Sequence, residues 1–416
     1  MSEIKCYNLA RERYAELGTD TDAALQRLSR IPISLHCWQA DDVQGFEHHG
    51  GDPGGGLAVT GNHPGRAKTL QHVRDDLKMA MSLIPGPLRV NLHAIYGDFE
   101  GRPADRDAVG PEHFTSWVQW AKELGIALDF NSSFFGHPKA ADGYTLANSD
   151  AGIRNFWIEH GRRCREIAAY MGREQGSACL HNVWIPDGAK DETLSRLHHR
   201  QLLESSLDAI FQTPLKEEEM LDAVESKLFG IGSESFVVGS FEFYLGYAIT
   251  RNKMLCLDMG HFHPTESVAD KVSAVMLYVR KLLFHFSRGI RWDSDHVVTL
   301  SDPMRELALE IVRSNALERS SLALDFFDAS INRIGAYVVG TRAAQKALLF
   351  ALLEPRELLQ KYEDEGRLFE RLAVLEEMKS MPFGDVWNYY CLTQNVPPGT
   401  DFIEAVNKYE KSVVLR

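Results

Sequence analysis

The residues of this sequence with the clearest chemical potential are carboxylates and imidazoles at the ends of short apolar runs. One such run ends in Asp258-Met259-Gly260-His261, so a carboxylate and an imidazole follow a predicted strand through a single glycine turn. An isolated D-x-x-H is more commonly a capped turn whose histidine is satisfied in the core. Here a second acidic cluster follows in the sequence, which favours a metal site.

The second cluster is Asp293-Ser294-Asp295, directly after a seventh predicted strand. Alternate residues of extended backbone point to the same side, so Asp293 and Asp295 can converge on one cation. Without a cation, two adjacent carboxylates repel and raise each other's pKa. A solvated turn is the alternative, but the flanking Trp292 and Val297 disfavour it.

Two further strand ends carry ionisable side chains. Glu225 and Lys227 are two residues apart and are expected to face the barrel mouth together. Alone they would form an ion pair, whereas a cation on Glu225 would leave Lys227 to donate to a substrate oxygen. Asp325 lies in an apolar context in which an unpaired charge is costly.

Together the strand ends supply five carboxylates and two histidines, namely Glu225, Asp258, Asp293, Asp295, Asp325, His261 and His285. One divalent cation would leave a large negative charge in a mouth of low dielectric constant, whereas two would nearly neutralise it. Mixed carboxylate and imidazole ligands suit Mn²⁺, Co²⁺ or Zn²⁺ better than Ca²⁺. The residues therefore predict a two-metal site without selecting the ion.

The elements that must position these residues are eight short β-type runs separated by segments with helical spacing. Strands joined through helices pair in parallel by right-handed crossovers, and eight such units predict a closed (β/α)8 barrel of the TIM type, with the chemistry at the strand ends. An open doubly wound sheet is the alternative, but no G-x-G-x-x-G turn follows the first strand. The predicted strands are 33–36, 88–93, 126–129, 182–184, 221–225, 254–258, 282–285 and 321–325.

Additional helices are expected outside the eightfold pattern. Residues 7–17 and 21–29 have helical patterning, the second opening on a Thr21/Asp22 cap, and the chain after Ala329 is rich in helix formers. We therefore divide the chain into an N-terminal helical segment (1–30), a barrel (31–335) and a C-terminal helical extension (336–416). The glycine-rich residues 50–56 are either a mobile lid over the pocket or an ordinary surface turn.

Composition narrows the functional class. The chain has 416 residues and a formal net charge of −13, which argues against a nucleic-acid partner because such binding needs clustered cations. No apolar run approaches the length of a membrane span, and no signal peptide is visible. Six scattered cysteines are typical of reduced core thiols, so we expect a cytoplasmic protein.

Seven stretches of the sequence resemble the L-rhamnose isomerase family, and the similarity runs from the N-terminal helices to the C-terminal tail. No departure is visible at the expected ligand positions. The stretches are SLHCWQ (34–39), NLHAIY (91–96), WIPDG (184–188), VESKLFG (224–230), DMGHFHPTE (258–266), RWDSDHV (291–297) and LDFFDASINR (324–333).

The resemblance implies a xylose isomerase-like barrel with added helices, a homotetramer and two divalent metals per subunit, Mn²⁺ first with Zn²⁺ or Co²⁺ as alternatives. It assigns Glu225, Asp258, His285 and Asp325 to a structural, sugar-binding site. It assigns His261, Asp293 and Asp295 to a catalytic site that holds a water or hydroxide. It also implies that Lys227 hydrogen-bonds the carbonyl end of the sugar, that His93 and Trp184 line the pocket, and that Trp38 stacks on an apolar sugar face.

The expected reaction is the interconversion of L-rhamnose and L-rhamnulose in rhamnose catabolism, by a metal-mediated hydride shift between C2 and C1 and without an organic cofactor. One alternative is a cis-enediol route with His93 or a carboxylate as base, in an isomerase of another aldose or in an epimerase. Phosphodiester cleavage at an abasic site conflicts with the acidic charge. A non-catalytic sugar-binding module would gain nothing from five clustered carboxylates.

Overall fold

The computed structural model describes residues 2–47, 59–228, 234–291 and 293–415. Strands within these ranges alternate with helices along most of the chain. The strands are β1 (Ile33–His36), β2 (Leu88–His93), β3 (Ala127–Asn131), β4 (Cys179–Val183), β5 (Gly188–Ala189), β6 (Met220–Glu225), β7 (Phe236–Val237), β8 (Met254–Asp258), β9 (Leu282–Phe286), β10 (Arg288–Ile290), β11 (Asp293–His296) and β12 (Ser320–Leu324).

Eight of these strands close into a parallel barrel in the order β1-β12-β9-β8-β6-β4-β3-β2. This confirms the predicted (β/α)8 barrel, and each predicted run contributes one barrel strand. The other four strands form two short antiparallel ribbons, β5 with β7 and β10 with β11. Both ribbons follow the carboxyl ends of barrel strands, so they build up the mouth of the barrel.

The helices lie between and beyond the barrel strands. The N-terminal pair, predicted at 7–17 and 21–29, is present as α1 and α2, but the α2 cap is Asp20, whose carboxylate accepts from the backbone N–H of Ala23. The helices are α1 (Ser2–Glu16), α2 (Thr21–Leu28), α3 (Leu70–Met81), α4 (Thr115–Leu124), α5 (Ala151–Gln175), α6 (Arg196–Phe211), α7 (Phe241–Arg251), α8 (Val268–Met276), α9 (Asp302–Arg313), α10 (Arg333–Leu352), α11 (Arg356–Asp364), α12 (Leu368–Met378), α13 (Phe383–Thr393) and α14 (Phe402–Val413).

Helix α10 joins the barrel to both ends of the chain. It packs against α9, α3 and the N-terminal α2, and most of its residues are buried. The expected boundary between barrel and C-terminal extension, at 335/336, lies inside this helix. The helical additions therefore share a core with the barrel wall.

The third strand extends further than expected, which moves one carboxylate out of the mouth. The prediction ended this strand at Asp129, but β3 continues to Asn131, which is in register with His93 on β2. Asp129 lies deeper in the barrel, where the Arg89 guanidinium donates to both of its oxygens at 2.8 and 2.9 Å. Asp129 is thus a structural ion-pair partner at the opposite end of the barrel from the expected chemistry.

The part of the barrel interior below the mouth is divided between polar and apolar side chains. On one side the Ser34 hydroxyl donates to the Asp129–Arg89 pair. The other side carries a small apolar cluster, formed by Leu180, Ala223, Met254, Cys256, Leu283 and Ala323. This inner apolar cluster lies in the barrel directly below the residues of the mouth.

Two further features concern membrane-spanning helices and cysteines. Within the described ranges, no helix combines the length and the apolar character needed to cross a membrane. All six cysteines are free thiols, and five of them are buried.

The contact between α5 and the segment before β6 gives a test of the packing. A Cβ added at Gly172 would lie 1.7 Å from the backbone oxygen of Glu219, whereas at Gly246 it would meet no described atom within 4 Å. Gly172→Ala should therefore destabilise the protein by about 2 kcal/mol or more through overpacking. Gly246→Ala, the matched helical control, should be neutral or stabilise by up to about 1 kcal/mol. Equal unfolding midpoints for the two variants in a denaturant titration would contradict this packing.

Candidate metal centre and active site

Four ligand-type side chains meet at the carboxyl ends of four neighbouring barrel strands. Glu225 ends β6, Asp258 ends β8, His285 is on β9 and Asp325 follows β12. One ligand atom from each residue lies within 4.8 Å of all the others. Sequence positions up to 100 residues apart thus form one cluster (Glu225, Asp258, His285, Asp325), because these strands are adjacent in the closed barrel.

The imidazole of His285 is the centre of this cluster. Its Nδ1 atom lies 3.1 Å from Glu225 Oε1, 3.3 Å from Asp325 Oδ2 and 3.6 Å from Asp258 Oδ2. The residues are buried except Asp325, which is partly exposed. Three carboxylates this close together in a buried site require a positive charge among them.

Each carboxylate also accepts a hydrogen bond on the oxygen that does not face His285. Asn182 Nδ2 donates to Glu225 Oε2 at 2.5 Å, and Trp38 Nε1 donates to Asp325 Oδ1 at 3.2 Å. The Ser287 hydroxyl and the Gly260 backbone N–H both donate to Asp258 Oδ1, each at 2.6 Å.

These donors orient the oxygens that face the cluster. Glu225 Oε1, Asp258 Oδ2 and Asp325 Oδ2 converge on the same point as His285 Nδ1. Outer donors that orient inner ligands in this way are typical of metal sites. The donor set of three carboxylate oxygens and one imidazole nitrogen fits a divalent cation such as Mn²⁺, Co²⁺ or Zn²⁺.

The charges around the cluster favour a positive group within it, as a cation site requires. Burial by itself would lower the pKa of His285, but Cys256, Glu225 and the other neighbouring acidic groups outweigh it and raise this pKa well above its usual value. Burial would raise the pKa of Glu225, but the two imidazoles, His285 and His261, outweigh it and lower this pKa. The field that favours a charged imidazole attracts a metal cation equally.

His261 extends the cluster towards the mouth. Its Nδ1 lies 3.3 Å from Glu225 Oε1, and the Asp258 and Glu225 carboxylates overcome the effect of burial to raise its pKa to about 10. Asp295, on the β10–β11 ribbon, lines the same cavity as His261. The side chain of Asp293 lies outside the described part of the protein. Two members of the expected second ligand group are thus at one cavity.

Glu225 and Asp325 of the cluster line a cleft whose empty space, counted out to its open mouth, is about 600 Å³. Three residues expected to line the pocket, Trp38, His93 and Trp184, are in its wall. The complete lining is Trp38, Val43, His93, Asn131, Ser132, Phe135, Asn182, Trp184, Glu225, His261, Asp295, Asp325 and Phe327. Aromatic rings beside a carboxylate floor are suited to a ligand with both apolar and hydroxyl-bearing faces.

His93 is held as a neutral ring. Its Nδ1 lies 3.0 Å from the Ser133 hydroxyl, and its Nε2 lies 3.3 Å from Asn131 Nδ2, while the ring packs edge-on against Trp38. Burial, followed by the charge of Arg106, lowers the pKa of His93 to about 3. A ring with so low a pKa is a weak proton acceptor near neutral pH.

The ammonium of Lys227 joins two segments at the barrel mouth. Its Nζ donates to the backbone oxygen of Pro186 and to Glu234 Oε1, each at 2.6 Å. The sequence placed Lys227 beside Glu225, but the structure pairs it with Glu234. These contacts connect the segment after β4 with the segment that leads into β7.

Sequence reasoning missed the residues that support the ligands. Asn182 was noted only as the start of a strand, and Asn131 lay beyond the predicted end of another. Period-two alternation could have found Asn182, because it lies two residues before Trp184 and so shares its face. No comparable signal identifies Ser287 or Glu234. Residues 50–56, the candidate lid, lie outside the described residues.

The family model described as L-rhamnose isomerase (RhaA) matches residues 1–416. The chain belongs to the L-rhamnose isomerase family. It is 58% identical over 410 residues to the L-rhamnose isomerase of Rhodopirellula baltica, covering 99% of this chain and 96% of that protein. The Bacteroides thetaiotaomicron enzyme is 56% identical, with 99% and 98% covered, and that of Escherichia coli K12 is 52% identical, also with 99% and 98% covered.

Two solved structures show weaker similarity to this chain. D-allulose 3-epimerase from Methylomonas sp. is 11% identical, covers 77% of this chain and 97% of its own, and gives a TM-score of 0.47. D-psicose 3-epimerase from Clostridium cellulolyticum H10, solved with D-tagatose, is 12% identical, with 69% and 95% covered and a TM-score of 0.43. Family membership identifies the protein as an aldose–ketose isomerase, and the strand order of the barrel establishes its fold.

The geometry of the cluster predicts that removal of one of its carboxylates strongly weakens metal binding. Glu225→Gln should weaken Mn²⁺ affinity by more than about 100-fold, because loss of an outer partner alone typically costs about 10- to 100-fold. A matched control is Asp41→Asn. Asp41 is a buried acid outside the cluster whose pKa burial raises to about 7, so asparagine resembles its protonated form. Metal analysis after equilibrium dialysis checks both variants, and equal Mn²⁺ retention by the two would contradict the assignment.

Proposed function

We propose that this protein interconverts L-rhamnose and L-rhamnulose with divalent cations held at the barrel mouth. The observation that carries the proposal is the convergence of three oriented carboxylate oxygens and one imidazole nitrogen beside an aromatic-lined cleft, which Glu225 and Asp325 of the same cluster help to line. Membership of the L-rhamnose isomerase family supports the choice of sugar.

Two ligand groups are proposed. Glu225, Asp258, His285 and Asp325 would hold the cation that binds the sugar, and His261, Asp293 and Asp295 would hold a second, catalytic cation. We propose Mn²⁺ for these sites, with Zn²⁺ or Co²⁺ as alternatives, since all three accept mixed carboxylate and imidazole ligands. When bound, such cations supply Lewis-acid polarisation of the sugar oxygens and activation of water.

The surrounding side chains would bind and orient the open-chain sugar. Trp38, Trp184 and Phe135 form an aromatic wall that excludes water and can cover the apolar face of a deoxysugar. Trp38 also orients a metal ligand, because its indole N–H donates a hydrogen bond to Asp325. His93, whose ring packs against Trp38 and Phe135, and Asn131 would contribute neutral polar contacts beside this aromatic wall.

Lys227 would act at the carbonyl end of the sugar. An ammonium has three donors, and the contacts with Pro186 and Glu234 use two of them. The third would donate to the oxygen on C1 and stabilise negative charge that develops there. The ion pair with Glu234 holds the ammonium in place while the sugar reacts.

Hydrogen transfer between C2 and C1 is proposed to occur directly. An enediol route needs a base that removes the C2 proton. The ionisable side chains that line the cleft are His93, His261, Glu225, Asp295 and Asp325, of which we assign His261 and Asp295 to the second cation. His93, with a pKa near 3, is a poor acceptor. The Glu225, Asp258 and Asp325 carboxylates are oriented towards one another and His285. A direct shift needs none of these groups to take the proton.

We further propose a cytoplasmic homotetramer. Six free thiols support a reducing compartment. Helix α12 exposes Leu368, Phe369 and Leu372, whose exposed fractions of 58%, 79% and 58% leave an apolar surface suited to a subunit contact.

The two-metal proposal predicts a specific stoichiometry. Reconstituted protein should contain about two Mn²⁺ per chain, and exhaustive chelation should abolish rhamnose isomerisation. Asp295→Asn should retain about one Mn²⁺ per chain and bind rhamnose while losing turnover, because its ligand group is distinct from the cluster that would bind sugar. Full activity in chelated protein, or an unchanged metal count in Asp295→Asn, would contradict the proposal.

Direct transfer predicts the fate of an isotopic label. L-Rhamnose deuterated at C2 should give L-rhamnulose with deuterium at C1 in ordinary water, because a hydrogen that shifts between carbons does not meet solvent. Proton nuclear magnetic resonance of the product measures the retained label. Substantial loss of deuterium would instead assign a base, His93 or a carboxylate, and an enediol route.

A further inference from the structure

Cys256 lies beside the metal-ligand cluster and has no place in the proposed reaction. It is on β8, two residues before Asp258, so both side chains face the barrel interior and the thiol lies one layer deeper. The residue is fully buried in the inner apolar cluster. Ligand atoms of Cys256, Glu225 and His285 all lie within 4.8 Å of one another.

His285 provides an independent observation at the same place. Its Nδ1 faces the three carboxylates, whereas its Nε2 is buried without a hydrogen-bond partner among the described residues. A buried ring nitrogen without a partner is costly, and a ligand in the group Cys256, Glu225 and His285 would remove that cost.

We infer that Cys256, Glu225 and His285 form an alternative ligand set that overlaps the carboxylate cluster and suits thiophilic divalent cations such as Zn²⁺ and Cd²⁺. One sulfur, one nitrogen and one oxygen ligand match the preferences of these soft or borderline ions, whereas Mn²⁺ prefers oxygen and nitrogen. Cys256 would bind as the thiolate and release its proton to solvent, and His285 would bind as the neutral imidazole.

The two ligand sets share Glu225 and His285, so they compete. A soft ion held by Cys256 and the Nε2 atom of His285 would draw Glu225 away from Asp258 and Asp325 and would place a second positive charge next to the proposed sugar-binding cation. The inference goes beyond the isomerase reaction: it identifies the chemistry by which thiophilic metals would inhibit this protein. Only the competition with Mn²⁺ depends on the proposed function.

The test uses the full-length protein, freed of metal by chelation and titrated with Cd²⁺ alone. Ultraviolet difference absorption measures the charge-transfer band of a cadmium–thiolate bond. Wild-type protein should develop a saturable band equivalent to one thiolate per chain. Cys256→Ala should lose this band and bind Cd²⁺ at least about tenfold more weakly. Cys256→Ser, which nearly preserves the side-chain volume, should also lose the band and serves if the alanine variant fails to fold.

Cys164→Ala is the matched control. Cys164 is likewise buried, and its sulfur lies 3.6 Å from His160 Nε2, but the two belong to no metal-ligand group among the described residues. This variant should keep the full band. Absence of a saturable band in wild-type protein, or its retention in Cys256→Ala and Cys256→Ser, would overturn the inference.

Saturating Mn²⁺ separates the failure of this inference from that of the proposed function. It should shift the Cd²⁺ titration midpoint to higher concentration, because Glu225 and His285 cannot serve both ions in full. A cysteine-dependent band that Mn²⁺ leaves unchanged would establish the cysteine site and contradict the proposed Mn²⁺ position. Loss of the band in Cys164→Ala but not in Cys256→Ala would place the thiolate site elsewhere and overturn the inference.

Discussion

Repulsion among three carboxylates dominates the electrostatics of the barrel mouth. Glu225, Asp258 and Asp325 direct one oxygen each to His285 Nδ1, at 3.1 to 3.6 Å. Near a protein surface, two unit charges 4 Å apart interact by about 4 kcal/mol, and more when buried. Donors behind each carboxylate prevent them from turning apart, so the cluster requires positive charge. That requirement is why we interpret it as a cation site.

The barrel satisfies this constraint through its topology. Four adjacent parallel strands end at the same rim, so residues distant in sequence meet without any long loop positioning them. Below the rim, the apolar cluster around Cys256 fills one side of the barrel interior, and the Arg89–Asp129 ion pair fills the other. Ribbon β10–β11 then places Asp295 over the floor. Rigid strands carry the four-residue cluster, and loops carry the groups nearer to solvent.

The sequence predicted the barrel, all eight of its strands and the four residues that meet in the cluster, because strand periodicity and strand ends are local features. It did not predict the end of the third strand, since the register of Asn131 with His93 depends on the neighbouring strand. The support of Glu225 by Asn182 and the pairing of Lys227 with Glu234 are tertiary contacts. No single-sequence pattern encodes these distances. The assignment of individual ligands came from family resemblance rather than from spacing.

The most direct test of the central claim is the thermal unfolding of metal-free protein at increasing Mn²⁺ concentration. A site that exists only in the folded barrel must stabilise it as RT ln(1 + [Mn²⁺]/Kd), about 2.7 kcal/mol at a concentration 100-fold above Kd. The account predicts that the unfolding temperature rises with Mn²⁺ in this way and that Mg²⁺, which prefers an octahedral shell of oxygen ligands, raises it less. An unfolding temperature independent of Mn²⁺ would contradict the interpretation of the carboxylate cluster as a metal site.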